Sequence, residues 1–140
     1  MEKTSAPNNP RIYVALELSK STWVVAIRLP DSGTTSLYRV PGGDLAGLMT
    51  LFDRARSLSE QRAHPGTDIC FCYEVGYDGF WLHRALIERG INNSVLDSAS
   101  IKVSRRRKHV KTDRTDARGM LGVLMAIYRG EDDVCSVEVA

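Results

Sequence analysis

Four acidic residues stand where chemistry can use them. Asp113 and Asp116 lie three apart in Lys111-Thr112-Asp113-Arg114-Thr115-Asp116-Ala117-Arg118. At the mouth of a helix that spacing puts both carboxylates on one face of the first turn. Glu17 closes the apolar run Ile12-Tyr13-Val14-Ala15-Leu16, and Glu74 closes Ile69-Cys70-Phe71-Cys72-Tyr73. A carboxylate at the end of a buried strand must open into a crevice or meet a cation, because an unpaired interior ion costs on the order of several kcal/mol. Four carboxylates in one crevice repel one another. Two unit charges at about 4 Å and an effective dielectric of about 20 cost roughly 4 kcal/mol. A divalent cation relieves that repulsion, and hard oxygen ligands suit Mg²⁺ or Mn²⁺. Two such ions can hold the attacking and leaving oxygens of a phosphodiester. Each residue also has a plainer reading. Asp113 can be an N-cap with Asp116 at N3, Glu17 can pair with Lys20 or an arginine of the basic run between Lys102 and Lys108, and Glu74 can be an ordinary polar strand end.

Charge is unevenly spread. Residues 101–118 carry eight basic side chains and two acidic ones, so this stretch is +6 while the chain as a whole is +2. Concentrated positive charge of this kind is the footprint of a phosphate-bearing partner. Lys102, Arg105, Arg106, Arg107, Lys108 and Lys111 are the candidate phosphate contacts. From Ser98 to Lys111 the sequence is too charged to pack, and it is expected to be poorly ordered until a ligand neutralises it.

The elements that must position these groups follow from hydrophobic period and turn chemistry. Arg11 to Leu18, Thr22 to Leu29 and Thr34 to Val40 read as three strands joined by short turns, hence an antiparallel meander. The first has the near-continuous apolar run of a strand buried on both faces. Asp44 is a good N-cap for an amphipathic helix from Leu45 to about Leu58, followed by a polar loop from Ser59 to Thr67. Asp68 to Tyr73 reads as a fourth strand, Asp78 to Arg89 as a second helix with Gly90 at its C′ position, and Asn93 to Leu96 as a fifth strand. A third helix is predicted from Thr112 or Asp113 to Tyr128. Trp23, Phe71 and Phe80 read as core, His83 as a packed helix residue, and His109 as one more phosphate contact.

The 140 residues suffice for one domain with a real core. No apolar run approaches the roughly 20 residues of a membrane span, and the polar N-terminus lacks the apolar segment of a signal peptide. Residues 1–10 read as a disordered tail, 11–129 as the domain, and 130–140 as the start of a linker to a further, C-terminal domain. Cys70 and Cys72 are expected on opposite faces of their strand. With no CxxC or HxxxH spacing, the three cysteines read as buried thiols in a cytoplasmic protein.

The order βββαβαβα, antiparallel first and helix-linked parallel later, is that of an α/β, ribonuclease H-like mixed sheet. In that topology the first and fourth strands are neighbours, and a crevice opens at their ends.

Three blocks resemble the DEDD-type insertion-sequence transposases, relatives of the Piv and MooV DNA invertases with a RuvC-like N-terminal domain. They are Ala15-Leu16-Glu17-Leu18-Ser19-Lys20, Tyr73-Glu74-Val75-Gly76-Tyr77-Asp78-Gly79 and Lys111-Thr112-Asp113-Arg114-Thr115-Asp116-Ala117. The last is the most specific, and the resemblance extends from Arg11 to Tyr128. It implies Glu17, Glu74, Asp113 and Asp116 as catalytic and metal-binding residues holding Mg²⁺ or Mn²⁺, two ions in all. The family's first acidic residue is usually aspartate; Glu17 is one methylene longer. The resemblance also implies DNA as substrate, a bridge-type guide RNA, a homo-oligomer, a catalytic serine from a downstream domain, and residence at the bacterial nucleoid. Two other classes share parts of the pattern. One is a non-catalytic RNA- or DNA-binding module of the same fold. The other is half of an actin-like kinase, which wants phosphate-cradling glycines where this chain has Ser19-Lys20-Ser21.

Overall fold

The computed structural model describes residues 11–19, 21–62, 67–74, 80–97, 117–130 and 136–139. Strands β1 (Arg11–Glu17), β2 (Thr22–Arg28) and β3 (Ser36–Pro41) form the antiparallel meander. Ser19 ties its first turn, exchanging hydrogen bonds with the backbone N–H and carbonyl of Thr22. Helix α1 (Leu45–Gln61) follows, then β4 (Asp68–Glu74), α2 (Trp81–Glu88), β5 (Asn92–Asp97), α3 (Ala117–Tyr128) and β6 (Ser136–Val139). The sheet order is β3-β2-β1-β4-β5-β6. β4 runs parallel to β1 and to β5, while β6 returns antiparallel to β5. An antiparallel meander whose first strand continues into parallel, helix-linked strands is the ribonuclease H-like arrangement expected from the sequence.

Both faces of the central strands are covered, which is why β1 and β4 read as continuous apolar runs. Ile12, Val14 and Leu16 of β1 and Ile69, Phe71 and Tyr73 of β4 face α1 and α2, where Leu48, Phe52, Leu82 and Leu86 fill the core. Phe52 meets Phe71 edge-on at 5.4 Å between centroids. The other face is built of smaller side chains. Ala26, Ala15, Cys72 and Ser94 stand opposite one another across four strands, all buried. α3 packs over this face with Ala117, Met120, Leu121 and Leu124. Small residues let the helix axis come close to the sheet.

The helix ends follow local rules. The Asp44 carboxylate accepts from the Gly47 N–H at 3.0 Å, the N3 contact of a good cap. A Cβ at residue 47 would lie 2.4 Å from Asp44 Oδ2, so glycine makes room for the cap. At the end of α2, Gly90 has φ +76°. Its N–H bonds the Ile87 carbonyl while Ile91 N–H bonds that of Leu86, a Schellman motif sealed by buried Ile91 and Leu86.

Some expectations shift. α1 runs past Leu58 to Gln61 because the buried Ser59 hydroxyl finds Thr67 Oγ1 at 3.0 Å, which hides a polar residue inside the fold. Cys70 and Cys72 share the α3 face, correcting the expectation of opposite faces: a strand alternates every residue, so i and i+2 point the same way. Phe80, expected in the core, is 36% exposed at the start of α2. Ser136–Val139, within the stretch read as a linker, form β6. The N-terminal tail and the basic stretch lie outside the described residues.

Candidate functional site

Glu17 and Glu74 are the last residues of β1 and β4. These strands are hydrogen-bonded neighbours, parallel and in register from Arg11↔Asp68 to Leu16↔Tyr73. One step further along the ladder stand the two glutamates. Neighbouring strands lie about 4.8 Å apart, so their backbones are adjacent. Alternation fixes their direction. Leu16 and Tyr73 point to the α1/α2 face, so Glu17 and Glu74 share the α3 face, one same-face row beyond Ala15 and Cys72. Both are half-buried.

The direction of α3 brings its start to the same end of the sheet. Its last residue, Tyr128, packs edge-on against Tyr13 at 5.9 Å, and the Arg11 guanidinium sits 5.0 Å from the Tyr128 ring centroid. Those contacts place the C-terminus of α3 over the beginning of β1. Nearer its start, the Met120 carbonyl accepts from Cys72 Sγ at 3.8 Å. The helix therefore runs antiparallel to β1 and β4, and Ala117 lies toward the strand ends that carry Glu17 and Glu74. The rest of that row is apolar, Val24 opposite Glu17 and Leu96 opposite Glu74. The two carboxylates thus stand side by side between apolar neighbours at one end of the sheet.

The other sequence-predicted residues lie outside the described residues: Asp113 and Asp116, together with Lys102, Arg105, Arg106, Arg107, Lys108 and Lys111. Lys20, the alternative partner for Glu17, does too. Among the described residues Asp53 and Arg56 form an ion pair on α1 at 3.9 Å, whereas Glu17 and Glu74 meet no cation. Also among the described residues, no three His, Cys, Asp or Glu side chains converge as a metal group. The two glutamates are the portion of the candidate site that the structure describes.

Behind Glu74 lies a buried polar chain that sequence reasoning missed. The Tyr73 hydroxyl accepts from the His83 backbone N–H at 3.1 Å, and His83 Nδ1 lies 2.6 Å from Asn93 Oδ1. Asn93 Nδ2 donates to the Ile91 carbonyl at 3.1 Å, which fixes the amide and leaves Oδ1 as acceptor. Nδ1 of His83 is accordingly the protonated nitrogen. His83 is packed, as its helix position suggested. The available signal was a histidine on a helix face between two strands, but its partners are set by tertiary contact alone.

No protein-family model matches the chain. A putative transposase of Sinorhizobium fredii, y4rJ, is 37% identical over 142 residues, an alignment covering 97% of this chain and 36% of that protein. The chain thus spans about a third of the relative's length. Among solved structures, the large terminase nuclease of the thermophilic phage G20c is similar with a TM-score of 0.41 and 15% identity, over 87% of this chain and 55% of that one. A likeness at that level leaves the fold to be read from the strand order itself.

Proposed function

We propose that this chain is the metal-dependent DNA cleavage and strand-transfer domain of an insertion-sequence transposase, DEDD-type with a RuvC-like fold. The observation that carries the reading is the pair Glu17 and Glu74, adjacent on parallel strands, on the face and at the end where α3 begins. The identity to a putative transposase supports the reaction class. The donor set fits a hard divalent cation, being carboxylate oxygen with no sulfur or imidazole in the row.

In this reading Glu17, Glu74, Asp113 and Asp116 hold Mg²⁺ or Mn²⁺. When bound, two such ions supply a more nucleophilic attacking oxygen and charge relief on the leaving oxygen of a phosphodiester. The chain's own residues do the rest. The β1–β4 register sets the separation of the two glutamates. The buried row of Ala15 and Cys72 forms a floor that keeps water from beneath them. The N-terminus of α3, the positive end of its dipole, favours an anion at that mouth. Lys102, Arg105, Arg106, Arg107, Lys108 and Lys111 hold backbone phosphates. A guide RNA, a homo-oligomer and a serine from a downstream domain enter this proposal through the family resemblance.

Mn²⁺ titration of the wild type against Glu74→Gln and Asp113→Asn tests the reading. Binding by wild type and its loss in both variants is expected. Nucleic-acid binding by a wild type that takes up no Mn²⁺ would mean a non-catalytic module of the same fold. Asp113→Asn with Asp116→Asn should also raise the metal-free Tm at low ionic strength, because repulsion is relieved. A plain capping role predicts less gain, or a fall, since asparagine caps comparably but lacks charge at N3.

A further inference from the structure

We propose that Tyr73 is a positioning residue for Glu74, its buried hydroxyl capping α2 from the preceding strand and, with His83 and Asn93, locking the end of β4. This rests on the reading of Glu74 as a metal ligand. The first amides of any helix lack intrahelical acceptors and need partners from outside. Phe80, the N-cap of α2, has no side-chain oxygen and makes no capping bond. The acceptor comes instead from Tyr73, whose hydroxyl takes the N–H of His83, the third residue of α2. That is the amide an N-cap serine or aspartate ordinarily serves. The strand that carries Glu74 thus supplies the cap of the next helix.

The connection continues to the third element. His83 Nδ1 donates to Asn93 Oδ1, and Asn93 stands opposite Phe71 in the β4–β5 ladder. β4, α2 and β5 therefore close a circuit of buried polar contacts, and no buried side-chain polar atom among the described residues lacks a partner. Tyr73 is fully buried. With its ring and hydroxyl fixed on one face, the pleat fixes the direction of the next residue on the other. That residue is Glu74, at the end of its strand, where a ladder ordinarily frays.

Tyr73→Phe removes one hydroxyl and keeps the ring. Ile69→Val, at the opposite end of β4, serves as a control that loosens the same strand away from the site. Two readouts are compared, amide hydrogen exchange in the metal-free protein and the Mn²⁺ Kd. In Tyr73→Phe, exchange at His83 and Glu74 should accelerate by about tenfold, the order expected for one lost capping bond. Its Mn²⁺ Kd should weaken by roughly the same factor, while Ile69→Val changes neither locally. Faster exchange at His83 with Glu74 exchange and Kd unchanged would overturn the proposal, leaving Tyr73 as a helix cap and nothing more. If the wild type binds no Mn²⁺, the metal reading of Glu74 fails. The Glu74 amide then decides positioning by itself: acceleration sustains it, and an unchanged rate overturns it.

Discussion

Burial pushes the Cys70 thiol upward in pKa, outweighing the hydrogen bond from Tyr128 and the nearby Arg11 charge, which pull it down. The half-buried Tyr128 hydroxyl is raised too, first by burial and then by Cys70. Both groups are neutral when protonated. Above the ordinary thiol value of 9.0 the unfolded chain loses its protons first, so stability present below that pH is lost as pH rises. The Tm should therefore fall on the alkaline side of pH 9. Cys70→Val with Tyr128→Phe should flatten the decline, as a pH series of melting curves will read. At this scale the placement of Glu17 and Glu74 at strand ends was legible in the sequence because a single charge after five apolar residues is conspicuous. Tyr73 was not: its role depends on a hydroxyl meeting an amide ten residues on, which no local pattern encodes. Phe80 was misread because an aromatic beside Trp81 suggests core, whereas the start of a helix turns its side chain outward.

The third helix depends on the smallness of what lies beneath it. Ala15, between Ala26 and Cys72 in the ladder, is fully buried in the cluster that α3 covers. Ala15→Leu should cost about 1–3 kcal/mol through overpacking. It should also lift the start of α3 from the strand ends, so Mn²⁺ affinity should fall by more than in an equally destabilised Leu48→Ala. Denaturant curves and metal titration of both variants provide the comparison. The elements themselves were largely readable. Alternation and caps gave the meander, and Asp44 and Gly90 punctuate helices where expected. The end of α1 escaped notice because Ser59 looks like loop chemistry until Thr67 is seen to satisfy it. β6 escaped because a four-residue strand after Gly130-Glu131-Asp132-Asp133 borrows its stability from β5.

For the molecule as a whole, the +6 stretch is the largest concentration of charge. Phosphate binding releases counterions, so affinity should fall steeply with salt. Neutralising Arg105, Arg106 and Arg107 together should reduce the log–log slope for duplex DNA by about three units if all three touch phosphate. Different DNA sequences should weaken alike, since phosphate contacts do not read bases. A salt titration of wild type and triple variant measures this. An unchanged slope would remove the basic stretch from the proposed DNA interface. The fold class followed from the order of elements, and the register that sets Glu17 beside Glu74 followed from that class. The approach of Asp113 and Asp116 to them remains part of the proposal.

The pairing of β6 with β5 bears on that stretch through the statistics of a closed chain. Asp97 stands opposite Ser136, so residues 98–135 leave and rejoin the sheet at a single rung. Within that ring, the basic stretch is tethered on one side to the end of β5 and on the other to the start of α3. In the proposed function, a strand of nucleic acid held by that stretch is no longer a free reactant. Its encounter with the glutamates becomes intramolecular, governed by an effective concentration on the order of mM for a short tether. Lengthening the tether with glycine–serine residues between Asp97 and Lys102 should then lower cleavage gradually, roughly as the −3/2 power of its length, with Mn²⁺ affinity unchanged. A rate that collapses at the first insertion would mean that the stretch works by fixed contact, with reach playing no part.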